Sequence, residues 1–108
     1  MRYVYCLSCD DIYKIGIAED VKKRVFDLQT GNPREILQVF TFAFDDDTAR
    51  RVERVFHAAM KYKRARREWF FLNERDIFFL KKVCLATQAG DDSLLNSLRL
   101  ASHGNVNV

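Results

Sequence analysis

RYVYCLSCDDIYKIGI, residues 2–17, is the stretch that decides the fold of this chain. Residues 2–7 and 12–17 alternate and are rich in the β-prone types Tyr, Val and Ile, whereas residues 8–11 are turn formers. The stretch therefore predicts a β-hairpin. With a four-residue loop, Leu7 faces Ile12, and Tyr5 lies directly opposite Lys14 on the same face of the sheet.

The segment after the hairpin predicts a helix and then a third strand. Asp20 is an expected N-cap, apolar residues at positions 21, 25 and 28 follow helical spacing, and Gly31 with Pro33 ends the helix. Residues 35–44 are rich in Ile, Val and Phe, which indicates a strand. Its length predicts a central strand that is covered on both faces.

Three consecutive aspartates, residues 45–47, precede a second predicted helix over residues 48–62. Carboxylates complement the positive end of a helix, so capping is favoured over a metal cluster for this triplet. Apolar residues at positions 49, 52, 56 and 59 form its predicted buried stripe. Glu53 and His57 are four residues apart and therefore share one face at the edge of that stripe.

The sequence after residue 62 predicts one further helix with a clear start signal, and then a C-terminal segment with a weaker helical pattern. Residues 69–72 are apolar, and Asn73 with Asp76 indicates the start of a helix over residues 77–85. Residues 93–101 suggest a short helix, and residues 102–108 suggest a frayed end. We predict an α/β sandwich with a three-stranded, mainly antiparallel sheet flanked by helices, in a domain over residues 1–86 with an extension over residues 87–108.

Basic side chains collect in patches although the net charge of the 108 residues is only +3. Such patches suit a nucleic acid backbone, although each one alone is more typical of a solvated helix face. The candidate nucleic-acid-binding residues are Lys22, Lys23, Lys61, Lys63, Arg64, Arg66 and Arg67.

The composition limits the classes of protein to which the chain can belong. No stretch approaches the roughly 18 apolar residues of a membrane span, and the N-terminus lacks the order of a secretory signal, so a cytoplasmic protein is expected. The three cysteines cannot all pair within one chain and are read as reduced thiols. Cys6 and Cys9 leave a redox or zinc reading open as a minor alternative.

The order of several motifs resembles the GIY-YIG nuclease superfamily, in particular its short phage and microbial branch with a Y-K-I-G second motif. The matching segments are Tyr3-Val4-Tyr5, Tyr13-Lys14-Ile15-Gly16, Arg24, ARRVERVFH over residues 49–57, and Glu68-Trp69-Phe70. Tyr3 stands where the family has a glycine, and Lys14 replaces the second tyrosine of the family name. The resemblance covers roughly residues 2 to 80 and implies a metal-dependent endonuclease with that fold.

The resemblance implies six catalytic residues: Tyr5, Tyr13, Lys14, Arg24, Glu53 and His57. Hydrolysis of a phosphodiester needs a base for water and positive charge for the transition state. Tyr5 would be the base, with Lys14 across the strand favouring its phenolate, and Arg24 would hold the scissile phosphate. Glu53 would be the metal ligand for Mg²⁺ or Mn²⁺. His57 would orient water, contact phosphate or protonate the leaving oxygen.

Other readings of the same residues stay open. Tyr5 and Tyr13 are also ordinary strand aromatics, Lys14 is an ordinary edge lysine, and Arg24 with Glu53 would make a structural ion pair. Trp69 and Phe70 are expected in the core and not as base-stacking residues. The competing function is a nucleic-acid-binding or regulatory module with little or no catalysis. The expected partner is nucleic acid, with DNA favoured, and a homodimer or a separate specificity partner is left open.

Overall fold

The backbone of the described residues forms five strands and four α-helices. The computed structural model describes the backbone of residues 1–106 and the side chains of residues 1–102. The strands are β1 (Arg2–Cys9), β2 (Ile12–Ala18), β3 (Leu37–Phe44), β4 (Arg64–Arg66) and β5 (Trp69–Phe70). The helices are α1 (Val21–Gln29), α2 (Asp46–Ala59), α3 (Glu74–Gln88) and α4 (Ser93–Val106), and a short 3₁₀ turn spans Lys61–Lys63.

All five strands belong to one antiparallel sheet in the order β3-β1-β2-β5-β4. The general α/β class is therefore confirmed, but the predicted three-stranded sheet was wrong. The two missed strands are only three and two residues long, and the arginines of β4 indicated a binding patch more strongly than a strand. The predicted central position of β3 was also wrong, because β3 lies at the edge and β2 in the middle.

The hairpin of β1 and β2 forms as predicted, but its register differs by two residues. Both strands extend further than expected, and the loop is the two-residue turn Asp10-Asp11 with Asp10 at φ 53°. A two-residue loop of this kind favours positive φ, which Asp tolerates. Consequently Lys14 lies opposite Leu7, and Tyr5 lies opposite Gly16. The predicted direct pairing of Tyr5 with Lys14 was wrong, although the even shift keeps both on one face.

The helix starts follow the predicted caps. The Asp20 side chain accepts a hydrogen bond from the Lys23 N–H at 3.0 Å, and the Asp45 side chain accepts one from the Thr48 N–H at 2.8 Å. Asn73 and Asp76 form a reciprocal capping box at the start of α3. These bonds satisfy amide groups that the first turn of a helix leaves without partners. The aspartate triplet therefore caps α2, as the sequence indicated.

Helices cover both faces of the sheet, which confirms that part of the prediction. On one face α1 packs against Tyr5 and Leu7, and on the other α2 and α3 pack against Val4 and Ile15. The predicted C-terminal helix is present and longer than expected, and its Leu95 is 1% exposed. The frayed end predicted from residue 102 was wrong for residues 102–106, whose backbone continues α4, while residues 107–108 lie outside the described residues. The domain boundary after residue 86 stays a prediction. None of the described helices combines the length and the hydrophobicity needed to cross a membrane.

Candidate active site

The candidate site lies where one edge of β2 loses its neighbouring strand. β5 pairs only with Tyr13 and Lys14, so no strand of the described chain continues beside Ile15 and Gly16 on that edge. The Ile15 N–H donates to the Glu68 carbonyl at 3.4 Å, and His57 Nε2 lies 2.8 Å from the Ile15 carbonyl oxygen. Side chains from α1 on one face of the sheet and from α2 on the other can therefore meet at this uncovered edge.

Two carboxylates and an imidazole converge there. One ligand atom each of Glu53, His57 and Glu68 lies within 4.8 Å of the other two. Glu53 and His57 come from one face of α2, whereas Glu68 comes from the turn before β5. The Ile15 carbonyl can only accept, so His57 donates through Nε2, and in the neutral ring Nδ1 keeps the lone pair. Metal-binding histidines commonly donate their second ring N–H to such a carbonyl.

The electrostatics of the two carboxylates differ. Burial raises the pKa of Glu53, nearby His57 opposes that shift, and the charge of Glu68 adds to it. Burial also acts to raise the pKa of Glu68, but the hydrogen bond and charge of Lys14, together with the charges of His57 and Arg24, leave the pKa below its usual value. Glu53 is thus a half-buried carboxylate beside a second ionised one. Two carboxylates with an imidazole fit Mg²⁺ or Mn²⁺, since a bound cation would offset this repulsion.

Tyr5 and Arg24 form the opposite side of the site. Tyr5 is 1% exposed, and its ring covers the backbone of Gly16, where an added Cβ would lie 2.4 Å from the phenol oxygen. Exposed Arg24 on α1 lies close enough to the phenol to affect its pKa. Burial raises the pKa of Tyr5, and Arg24 opposes that shift only in part, while the charges of Glu68 and Glu53 add to it. The phenol is therefore protonated at neutral pH in the protein alone.

Lys14 has a different partner from the one predicted. Its ammonium lies 2.7 Å from Glu68 Oε2 and 5.7 Å from the centre of the Trp69 ring, and Lys14 is 5% exposed. In the observed register Lys14 lies opposite Leu7 and not opposite Tyr5. The hypothesis that Lys14 promotes the Tyr5 phenolate by direct pairing is therefore corrected. Lys14 instead keeps Glu68 ionised.

Tyr13 does not join this cluster. Because side chains alternate along β2, Tyr13 lies on the face opposite Lys14, where it packs against the larger core and lines a small cavity with Ile77 and Phe78. Tyr5, Lys14, Arg24, Glu53 and His57 are brought together, whereas Tyr13 is not. An Arg24–Glu53 ion pair is absent from the salt bridges between described residues.

Glu68 is the site residue that the sequence analysis missed. Glu68 belongs to the Glu68-Trp69-Phe70 motif, which by itself predicts no metal-binding role for it. A signal was present, since Glu68 is an acidic residue directly after the basic run that ends at Arg67. Its contact with Lys14 spans 54 positions of the sequence, and no local pattern predicts such a distance.

The candidate nucleic-acid-binding residues divide into two groups. Lys63 is partly buried and donates to Asp76 at 2.6 Å, which ties it to the start of α3. The others are exposed and available to a partner: Lys22, Lys23, Lys61, Arg64, Arg66 and Arg67. Phe70 is fully buried and Trp69 packs against the core on the α1 face, as expected for core residues.

The cysteines lie away from this chemistry. Cys6, Cys9 and Cys84 are free and buried, and burial raises the pKa of Cys6 and of Cys84 to about 12. Within the described side chains, the group that could hold a metal contains no cysteine. A redox or zinc role for Cys6 and Cys9 has no support in this arrangement.

Comparison with known proteins gives one family. The model of the T5orf172 domain, a nuclease-like and DNA-binding domain, matches residues 2–84. A search of curated proteins and a search of solved structures found no match. The matching family differs from the GIY-YIG nuclease superfamily, so the assignment made from the motifs was wrong and is corrected. The roles of the site residues consequently depend on their geometry.

Proposed function

The chain belongs to the T5orf172 domain family, and we propose that it is an endonuclease that hydrolyses DNA phosphodiesters with the help of Mg²⁺ or Mn²⁺. The observation that supports this most is the convergence of Glu53, His57 and Glu68 within 4.8 Å, with Tyr5 and Arg24 beside them. Glu53, His57 Nδ1 and Glu68 would hold the cation. When bound, the cation would supply charge stabilisation and a more acidic water.

Each remaining side chain has a role that fits its surroundings. Arg24 is exposed, so its guanidinium can bind a phosphate oxygen and stabilise developing charge while it stays next to the Tyr5 phenol. Tyr5 would first lose its own proton to solvent, which the charges of Arg24 and of a bound cation favour, and its phenolate would then take a proton from the attacking water as general base. Lys14 is a positioning residue, since it is buried and acts through Glu68. The Ile15 carbonyl fixes the ring of His57.

Cleavage of supercoiled plasmid tests this proposal directly. We expect nicked or linear product with Mg²⁺ or Mn²⁺, and none when a chelator is present, because the carboxylates of the site would have no cation to bind. Gel analysis of both forms gives the result. DNA binding without cleavage in either metal would instead favour the competing function, a binding or regulatory module of the same fold.

The Lys14–Glu68 bond predicts an acid-sensitive defect in Lys14→Met. Without the ammonium, only the charges of His57 and Arg24 oppose the effect of burial on Glu68, so the pKa of Glu68 rises from its lowered value in the wild type. Glu68 of the variant is then protonated in acid but ionised in mild base. We expect a loss of cleavage of about tenfold or more near pH 5 that shrinks toward pH 8.

The measurement is the ratio of variant to wild-type cleavage rates across that range. Exposed Lys81→Met on α3 is the matched control and should keep a constant ratio. A Lys14→Met ratio that is equal at every pH would show that Lys14 does not act through ionisation of Glu68.

The expected place of action is the cytoplasm. Cys6, Cys9 and Cys84 are all unpaired, and free buried thiols are typical of a reducing compartment. Action as a homodimer or with a separate specificity partner belongs to the same proposal.

A further inference from the structure

A basic groove runs between α2 and α4, apart from the candidate site. It encloses a cavity of about 650 Å³. Its lining consists of Arg51, Arg54, Val55, Ala58, Lys61, Asn96, Arg99 and Ser102. Four of these residues are basic, and none of the described residues that line the groove is acidic. Val55 of α2 and Leu95 of α4, which are 5% and 1% exposed, belong to the same hydrophobic core beside it.

The charges of this groove are largely uncompensated. Arg51 is paired, since its Nη2 lies 3.1 Å from Asp92 Oδ2. Arg54, Lys61 and Arg99 are exposed and form no salt bridge with any described acidic residue. Like charges that line one concave surface raise its positive potential, which attracts anions from solution. The groove thus has the charge of a binding surface for a polyanion.

The groove is connected to the candidate site by the surface of α2. At about 100° per residue, the positions of α2 follow one another around the helix in the order Glu53, His57, Arg50, Arg54 and Ala58. Arg50 is exposed, and its charge acts to lower the pKa of Glu53, which shows that it lies near the site. A basic track of Arg50 and Arg54 therefore leads from the carboxylates to the groove.

We infer that the groove between α2 and α4 binds backbone phosphates of the same DNA that the candidate site cleaves, and so extends the docking surface beyond the cleavage point. The inference rests on the proposed function for its partner. A DNA strand that passes over Arg24 and the carboxylates can continue along Arg50 and Arg54, because these arginines follow Glu53 and His57 around α2. Arg99 lies on α4, outside the residues 2–84 matched by the family model, so α4 contributes a DNA contact of its own.

The test neutralises the groove without changing the site. The double variant Arg54→Gln and Arg99→Gln removes two exposed charges, and Lys81→Gln with Lys82→Gln removes two exposed charges from α3 as the matched control. Binding to a fluorescein-labelled duplex is followed by anisotropy in chelator, across salt concentrations of about 50 to 200 mM. Chelator prevents cleavage, so this measurement does not depend on whether the protein is a nuclease.

The groove variant should bind DNA at least about tenfold more weakly at low salt. The slope of its plot of log K against log salt concentration should be less steep by nearly two, because each phosphate contact contributes about 0.9 to that slope. The control variant should change neither value. A groove variant that behaves like the control, or a wild-type protein that binds no duplex, would overturn the inference. Weakened binding by the groove variant together with no cleavage by wild type would keep the groove and reject the proposed nuclease.

Discussion

The substitution Glu53→Gln is expected to lower metal-dependent cleavage by about 10³-fold, because a bound cation contributes several kcal/mol to such a reaction. The amide keeps the size of the side chain but loses the charge that the cation needs. The measurement is the single-turnover cleavage rate in Mn²⁺. Glu35→Gln is the matched control, since Glu35 is exposed in the loop before β3, and its rate should equal that of wild type.

The same substitution should not destabilise the fold, which separates a functional carboxylate from a structural one. The pKa of Glu53 is raised in the folded protein, mainly by burial, so the ionised form costs stability once the pH exceeds the ordinary value for Glu. A neutral amide removes that cost at neutral pH. Thermal unfolding in chelator at about pH 7 should therefore give a Tm at or above wild type. A lower Tm together with weak cleavage would assign Glu53 a structural role.

Tyr5→Phe is expected to reduce cleavage by about 10² to 10⁴-fold, which is the usual contribution of a general base. Tyr5 is 1% exposed, so loss of its oxygen should leave the affinity for DNA within about twofold of wild type. Cleavage rates at saturating protein, together with anisotropy in chelator, separate the two effects.

Tyr13→Phe is the control for that substitution, because Tyr13 lies on the other face of the sheet and packs against the core. It should cleave as wild type does. Equal losses in Tyr5→Phe and Tyr13→Phe would show that neither phenol acts on the water, and that both substitutions act through packing of the sheet.

The local features of this fold could be predicted from sequence, because each depends on residues close together in the chain. Asp20, Asp45 and the Asn73–Asp76 pair cap the helices that they were expected to cap. The four-residue spacing of Glu53 and His57 placed both on one face of α2. These predictions succeed because a helix fixes the relation between neighbouring turns.

The predictions that failed concern features that depend on loop geometry or on contacts between distant parts of the chain. The register of the hairpin follows from the positive φ of Asp10, which allows a two-residue loop where four turn-forming residues had suggested a longer one. The bond between Lys14 and Glu68 joins the hairpin to a turn far along the chain. Strand β5 is too short for an alternating pattern, so the segment that carries Glu68 was not placed beside β2.

Binding of Mn²⁺ to the protein without DNA tests the central claim most directly. Glu53, His57 and Glu68 are proposed to hold one cation, and electron paramagnetic resonance of free Mn²⁺ reports its loss from solution on binding. We expect one ion per chain for wild type and for Glu35→Gln. For Glu53→Gln we expect an Mn²⁺ affinity that is about 100-fold weaker or more, since loss of a metal ligand costs more than a change in a residue that only hydrogen-bonds to a ligand. Equal Mn²⁺ affinity in wild type and Glu53→Gln would contradict the proposed metal site.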